Sequence, residues 1–290
     1  MTCVATQMRS FALGLTVAIG LALALPLGPV RAEEPAGPAI PGSAPEWRGL
    51  DAGFEVAEMP VLADGREIDR ILLARIDPAK FRFVLQSAPP GRTLKSWMGE
   101  LGALMVINGS FFAKDRTPDT PIVSNGVQLG PKTYDARHGA FVASHGAAGI
   151  RDLRREDWRQ TFAGAETALV SYPLLLAADG GHTATPSDRR ANRSFAGQDT
   201  AGRIVFGTTQ DGSFTLPGLA EFLKASPLGL SLALNLDGGP YACQAIAVGG
   251  YRRNFCGTLE FGGKTDGPLA PPDNDRNART LPIVLGVVRP

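Results

Sequence analysis

The sequence predicts an α+β fold, a single strand-rich mixed domain with few helices, and three observations carry that expectation. Gly and Pro number 35 and 23 among 290 residues, a turn-rich load that excludes a coiled coil and argues against an all-helical bundle. Short apolar stretches, most of them β-branched, aromatic or alternating, are punctuated by turn signals and read as strands. The segments with helical spacing do not alternate strictly with those strands, which points away from a doubly wound parallel sheet.

Taken in order, the chain opens with Arg9 and an uncharged run from Ser10 to Val30, followed by Val30-Arg31-Ala32. This pattern predicts a secretory signal peptide over residues 1–32, cut after Ala32, with an uncleaved membrane anchor as the alternative. Residues 33–46 are Pro-rich with almost nothing to bury, and read as a linker or flexible arm. The domain is expected over 47–290. Its strands are placed at Ile71 to Ile76, Phe81 to Gln86, Leu104 to Ile107, Ala140 to Ala143, Ala168 to Tyr172, Ile204 to Thr208, Leu232 to Leu236 and Leu281 to Val288. Helices are placed at Thr93 to Glu100 and at Leu216 to Ala225, where Leu219, Phe222 and Leu223 form a stripe.

Charge and cysteine narrow the function classes. The net charge is +1 for the whole chain and falls to −1 when Arg9 and Arg31 leave, so no global field attracts nucleic acid. Export also predicts a periplasmic or secreted protein with no stable membrane insertion after signal cleavage. Cys3 leaves with the signal peptide, and Cys243 and Cys256 remain as a pair for which an oxidising compartment makes a disulfide the expectation.

Most catalytic signatures fail. Gly263-Lys264-Thr265 lacks the upstream glycine of a phosphate loop, since Thr258 stands there. Gly229-Leu230-Ser231-Leu232-Ala233 is a broken serine-hydrolase elbow. His138, His145 and His182 have no ligand spacing, and Asp273, Asp275 and Asn277 begin a calcium loop that Ala278 and Val284 do not continue. No metal or other cofactor is expected. Two segments stand out instead: Leu104 to Phe112, an apolar strand ending in Asn108-Gly109, and Leu232 to Pro240, a strand ending in Asn235-Leu236-Asp237-Gly238-Gly239. Each sets short polar groups and bare backbone at the mouth of a buried strand, where a ligand can approach closely. Plain turn chemistry is the competing explanation for each.

At these residues the sequence resembles the phosphodiester glycosidase family. The resemblance rests on an ordered set: Asn108-Gly109-Ser110-Phe111-Phe112, Ser124-Asn125-Gly126, Tyr172-Pro173-Leu174-Leu175, Arg193-Ser194-Phe195-Ala196-Gly197, Leu219-Ala220-Glu221 and Asn235-Leu236-Asp237-Gly238-Gly239. It covers roughly residues 65–290. One departure is Pro240-Tyr241, where the family often continues with Gly and Ser.

The resemblance implies hydrolysis of a sugar from a phosphodiester, and hence a carbohydrate or sugar-phosphodiester substrate, here in a bacterial envelope or extracellular glycan. Asp237 is then the expected catalytic carboxylate rather than a turn former. Glu221 reads first as a surface acid and second as the partner carboxylate. Arg193 would hold phosphate through its guanidinium fork, unless it is a solvated charge beside Arg189 and Arg190. Asn108 and Asn235 would bond sugar hydroxyls, unless they cap strand ends. The amides of Gly109, Gly238 and Gly239 would line an anion-binding concavity. Phe111, Ser124 and Asn125 join the expected substrate contacts, with Tyr241 as a ring on which a sugar stacks. The alternative is a non-catalytic periplasmic protein that binds polysaccharide or supports its export.

Overall fold

The computed structural model describes residues 37–135, 138–257 and 279–290, all of them within the unit Pro35–Pro290. The expected signal peptide 1–32, the Gly263-Lys264-Thr265 loop and Asp273, Asp275 and Asn277 lie outside the described residues. In chain order the described elements are β1 (Ile40–Pro41), β2 (Arg48–Asp51), β3 (Phe54–Ala63), β4 (Arg66–Ile76), β5 (Arg82–Thr93), α1 (Leu94–Leu101), β6 (Met105–Asn108), β7 (Ile122–Ser124), β8 (Val127–Leu129), β9 (Gly139–Ser144) and β10 (Ala147–Asp152). There follow α2 (Trp158–Phe162), β11 (Thr167–Ser171), β12 (Leu174–Leu176), β13 (Ser194–Asp199), β14 (Ile204–Thr209), α3 (Leu216–Ala225), β15 (Leu230–Asn235), β16 (Cys243–Val248), β17 (Tyr251–Cys256) and β18 (Thr280–Val288).

Strands dominate more heavily than an α+β reading implies. They form three antiparallel sheets: a large one ordered β1-β3-β4-β14-β13-β15-β12 with β2 also on β3, a second ordered β10-β9-β11-β7-β8, and a third ordered β17-β16-β6-β18-β5. One core lies where the three meet. Phe83 of β5, Phe141 of β9 and Phe206 of β14 bring one ring from each sheet to centroid distances of 5.4 to 6.2 Å, within the range favoured by edge and tilted aromatic pairs.

Local chemistry explains the elements. Asp64-Gly65 and Asn125-Gly126 adopt positive φ at both positions, the conformation that lets a two-residue turn follow the twist of a hairpin. Thr93 caps α1 by accepting from the Ser96 amide at 3.2 Å, and Gly102 ends it in the left-handed region at φ 56°. Thr215 caps α3, which buries Leu219, Ala220, Phe222 and Leu223 against the outer face of the large sheet. The five-residue α2, capped by Asp157, was not expected, because it is too short to show a helical period.

The Pro-rich arm is partly docked: Ile40 and Pro41 pair with Leu62 and Val61 at an edge of the large sheet. No helix among the described residues is long and apolar enough to cross a membrane. The expected disulfide is present between Cys243 and Cys256, which face each other in register across β16 and β17.

Candidate active site

The ends of four strands from all three sheets converge on a cleft of about 410 Å³. Residues just beyond β6 supply Phe111 and Phe112, the link from β11 to β12 supplies Tyr172 and Pro173, and Arg193 stands immediately before β13. The end of β15 supplies Asn235, Asp237 and Gly238, with Tyr241 in the short turn that follows. Ser187 and Arg189 of the preceding loop and Leu216 at the start of α3 complete the lining.

Backbone bonds join β6 to the end of β15. The Asp237 amide donates to the Gly109 carbonyl at 3.0 Å, the Leu236 amide to Ser194, and the Gly109 amide to Ile283. Asn108 completes the junction: its Nδ2 donates to the Asp237 carbonyl at 2.7 Å, and its Oδ1 accepts from the Cys243 amide at 3.0 Å. It is 2% exposed and does not line the cleft. Its side chain fixes the backbone that carries Asp237, so the expected sugar contact is replaced by a positioning role.

Asp237 is half-buried, and among the described residues lining the cleft it is the one carboxylate. Its Oδ1 accepts from the Gly238 amide at 2.8 Å. Arg193 is buried, which overturns the solvated-charge reading. Its Nε donates to the Phe214 carbonyl at 3.1 Å and its Nη2 to the Arg189 carbonyl at 2.9 Å, so two carbonyls hold the guanidinium plane in a set orientation. Gly238 permits this approach, since a Cβ there would stand 3.0 Å from the Asn192 carbonyl oxygen and 3.5 Å from Arg193 Nη1.

The proposed nest of glycine amides is not formed. Gly109 donates to Ile283, Gly238 to the Asp237 carboxylate and Gly239 to Asn192. These glycines serve close approach and, at Gly239, a left-handed φ of 60°.

Aromatic rings wall the cleft. Phe111 stacks on Tyr172 at 4.3 Å, and Phe112 meets Tyr241 edge-on at 5.0 Å. Arg116 lies over both Phe112 and Tyr241 and donates to the Tyr241 hydroxyl at 3.3 Å, while Arg279 approaches the same ring at 6.0 Å. Burial first, then the charges of Asp119 and Asp237, push the Tyr172 phenol above its ordinary pKa, so it stays a neutral hydroxyl at the cleft wall.

Three expected site residues lie elsewhere. Ser124 is buried in the second sheet and donates to the Leu85 carbonyl at 2.7 Å. Asn125 is the exposed first residue of the β7–β8 turn, so Ser124-Asn125-Gly126 is hairpin chemistry. Glu221 is 67% exposed on α3, 3.6 Å from His182, and does not line the cleft. The residues that sequence reasoning passed over are Phe112, Tyr172, Pro173, Ser187, Arg189 and Leu216. Phe112 and Tyr172-Pro173 belonged to recognised motifs, whereas Ser187, Arg189 and Leu216 had no local signal because a loop and a helix end bring them in.

Comparison with known proteins bears on the fold and the family. The fold is similar to that of the zebrafish N-acetylglucosamine-1-phosphodiester alpha-N-acetylglucosaminidase catalytic domain, with a TM-score of 0.61, 14% identity and coverage of 87% of this chain and 89% of that one. A hypothetical protein from Synechocystis is similar with a TM-score of 0.56 and 14% identity, over 86% of this chain and 64% of that one. No curated protein matches the sequence. The profile of the family described as Phosphodiester glycosidase matches residues 101–288. That span takes in every residue lining the cleft, and with it the chain belongs to the phosphodiester glycosidase family.

Proposed function

We propose that the protein is an exported hydrolase that cleaves the glycosidic bond of a sugar-1-phosphodiester in a bacterial envelope or extracellular glycan. The observation that carries this reading is the pairing, in one cleft, of the half-buried carboxylate of Asp237 with the buried, carbonyl-anchored guanidinium of Arg193. The two charges match the two demands of the reaction. Asp237 supplies negative charge to the oxocarbenium-like centre as nucleophile, base or electrostatic partner, and Arg193 receives the phosphate. The leaving group is a phosphate monoester, a weak base, so its departure needs little help from a general acid, which suits a cleft with one carboxylate among its described lining residues. The aromatic walls offer apolar faces to a sugar ring.

Export follows from the signal-peptide pattern of residues 1–32, with 33–46 as an arm ahead of the catalytic domain 47–290. The bridge between Cys243 and Cys256 suits an oxidising compartment.

A second reading, a non-catalytic polysaccharide binder, draws on Pro240-Tyr241, which places a ring where the family often has Gly and Ser. One experiment separates them. The mature protein is incubated with sugar-1-phosphodiesters and with free glycans, and sugar release and binding are both measured. Release of sugar from a phosphodiester is the expected result; binding without any release would establish the binder instead.

A further inference from the structure

We propose that a second cavity, beside the cleft and across the hairpin of residues 111–119, is a subsite for a further neutral sugar of the same substrate, so that the protein acts on a glycan chain rather than on a single sugar phosphodiester. This inference rests on the sugar-phosphodiester reading and extends it to the length of the substrate.

The cavity measures about 800 Å³, inside the range of small-molecule sites, about 300 to 1,000 Å³. Residues 111–119 are the partition between it and the cleft. The chain leaves β6, runs through Phe111 and Phe112, turns, and returns through Thr117, Pro118 and Asp119. Its two arms are paired. Phe112 lies opposite Pro118 in an antiparallel bridge, the Ala113 amide donates to the Thr117 carbonyl at 2.9 Å, and the Asp119 amide donates to the Phe111 carbonyl at 3.1 Å. The first arm lines the cleft and the second lines the other cavity, so a wall one hairpin thick separates them.

Electrostatic effects cross that wall. Burial and then Asp119 raise the Tyr172 phenol of the cleft, while burial, then Tyr172 and Asp119, push the Tyr134 phenol of the second cavity up to about 12. The three groups are close neighbours, although Tyr172 belongs to one cavity and Asp119 and Tyr134 to the other.

The lining suits a neutral sugar. Pro89, Pro118, Pro131 and Tyr134 give apolar faces, and Thr117 and Asp119 give polar groups, the mixture that holds a sugar ring by its C–H face and by its hydroxyls. Asp119 is the one charged side chain among the described lining residues, and a carboxylate accepts from hydroxyls but repels a phosphate. Tyr134 is held in advance: its carbonyl accepts from Trp158 Nε1 at 3.0 Å, and it packs against the cluster that contains Trp158 and Phe162. Stacking on such a ring costs little further ordering.

The test measures kcat/KM for the sugar-1-phosphodiester that the protein cleaves fastest and for the same compound lengthened by one to three neutral sugars, in one series on the glycosyl residue and in another on the far side of the phosphate. In one of the two series lengthening should raise kcat/KM about tenfold or more. The ratio of lengthened to parent compound is the readout, so each variant carries its own reference. That ratio should fall to within about threefold of one in Tyr134→Ala. It should also drop about threefold or more in Asp119→Ala, where the side chain removed is exposed and the backbone bond to Phe111 stays in place.

A wild-type ratio near one in both series overturns the inference and leaves the hydrolase reading intact, as does a full ratio retained by both variants. If no phosphodiester is cleaved, the hydrolase reading fails, and calorimetry with the same compounds decides. Tighter binding of the lengthened compounds, lost in Tyr134→Ala, keeps the subsite, whereas equal binding overturns it. Absence of binding to every compound overturns both.

Discussion

Replacing Asp237 with Asn removes one charge from the cleft and keeps the shape of the side chain. Asn is isosteric, keeps an acceptor for the Gly238 amide that Asp237 Oδ1 now holds at 2.8 Å, and leaves the backbone bonds from Asn108 and to Gly109 in place. The loss can be worked from Coulomb's law. A carboxylate about 4 Å from a full positive charge, at an effective dielectric of about 20 for a partly buried site, contributes about 4 kcal/mol. If half to two-thirds of a charge develops at the anomeric centre in the transition state, the stabilisation is about 2 to 2.7 kcal/mol, or roughly 30- to 100-fold in rate.

The assay is kcat/KM for release of sugar from a phosphodiester, read beside the melting temperature of the same variant. A fall of that size with an unchanged melting temperature is expected. An Asp237→Asn protein that melts like wild type and turns over within about threefold of it would refute the electrostatic role and reduce Asp237 to a turn residue.

Arg193→Lys keeps the charge but loses the fork and the two carbonyl anchors, so kcat/KM for phosphodiesters should fall roughly tenfold or more; an unchanged value would place the phosphate elsewhere. Glu221→Gln, on the exposed face of α3, should leave activity within about twofold, and a large loss would restore it as the partner carboxylate. Removing both Cys243 and Cys256 opens a loop with a sequence separation of 13 and should cost about 3 kcal/mol in the chain-entropy treatment. This corresponds to roughly 6 to 12 °C in melting temperature for a protein of this size, and full alkylation of unreduced protein would show the bridge is not made in solution.

Asp152 is held below the ordinary carboxylate pKa chiefly by its hydrogen bonds from Arg154. Its contribution is therefore present above the ordinary value of 3.8 and is lost as the pH falls from there through the lower folded-state value. Asp152→Asn should accordingly melt below wild type at neutral pH and converge with it in acid. A gap that stays constant down to strongly acidic pH would dismiss the ionic contribution.

Local pattern alone determined much of the framework. The strand at Leu281 to Val288, the helix at Leu216 to Ala225 and the pairing of Cys243 with Cys256 were legible because each depends on nearby residues: an apolar run, a capped stripe, or two thiols whose one possible competitor, Cys3, falls in the expected signal peptide. Asn108-Gly109 and Asn235 to Gly239 also stood out locally as polar groups at the ends of buried strands, and the structure joins them through the Asp237 amide and the Gly109 carbonyl, with only the second segment lining the cleft.

Tertiary structure decided what those residues do. Strand β13 escaped notice because Ser194, Ala196 and Gly197 carry little intrinsic strand preference; pairing on both sides holds it, with β14 at Phe195↔Gly207 and with β15 at Phe195↔Asn235. Asn108 and Asn235 are the same residue type at the same kind of strand end, yet one has both polar groups occupied by backbone and the other has a buried Oδ1 with no hydrogen-bond partner among the described residues. No spacing rule separates them, because the partners that satisfy Asn108 lie 129 and 135 residues away. The alternatives left open for Arg193 and Glu221 were separated in the same way, by the burial of one and the exposure of the other: burial and ion pairing are properties of how distant segments pack, and a single sequence carries only the local half of that information.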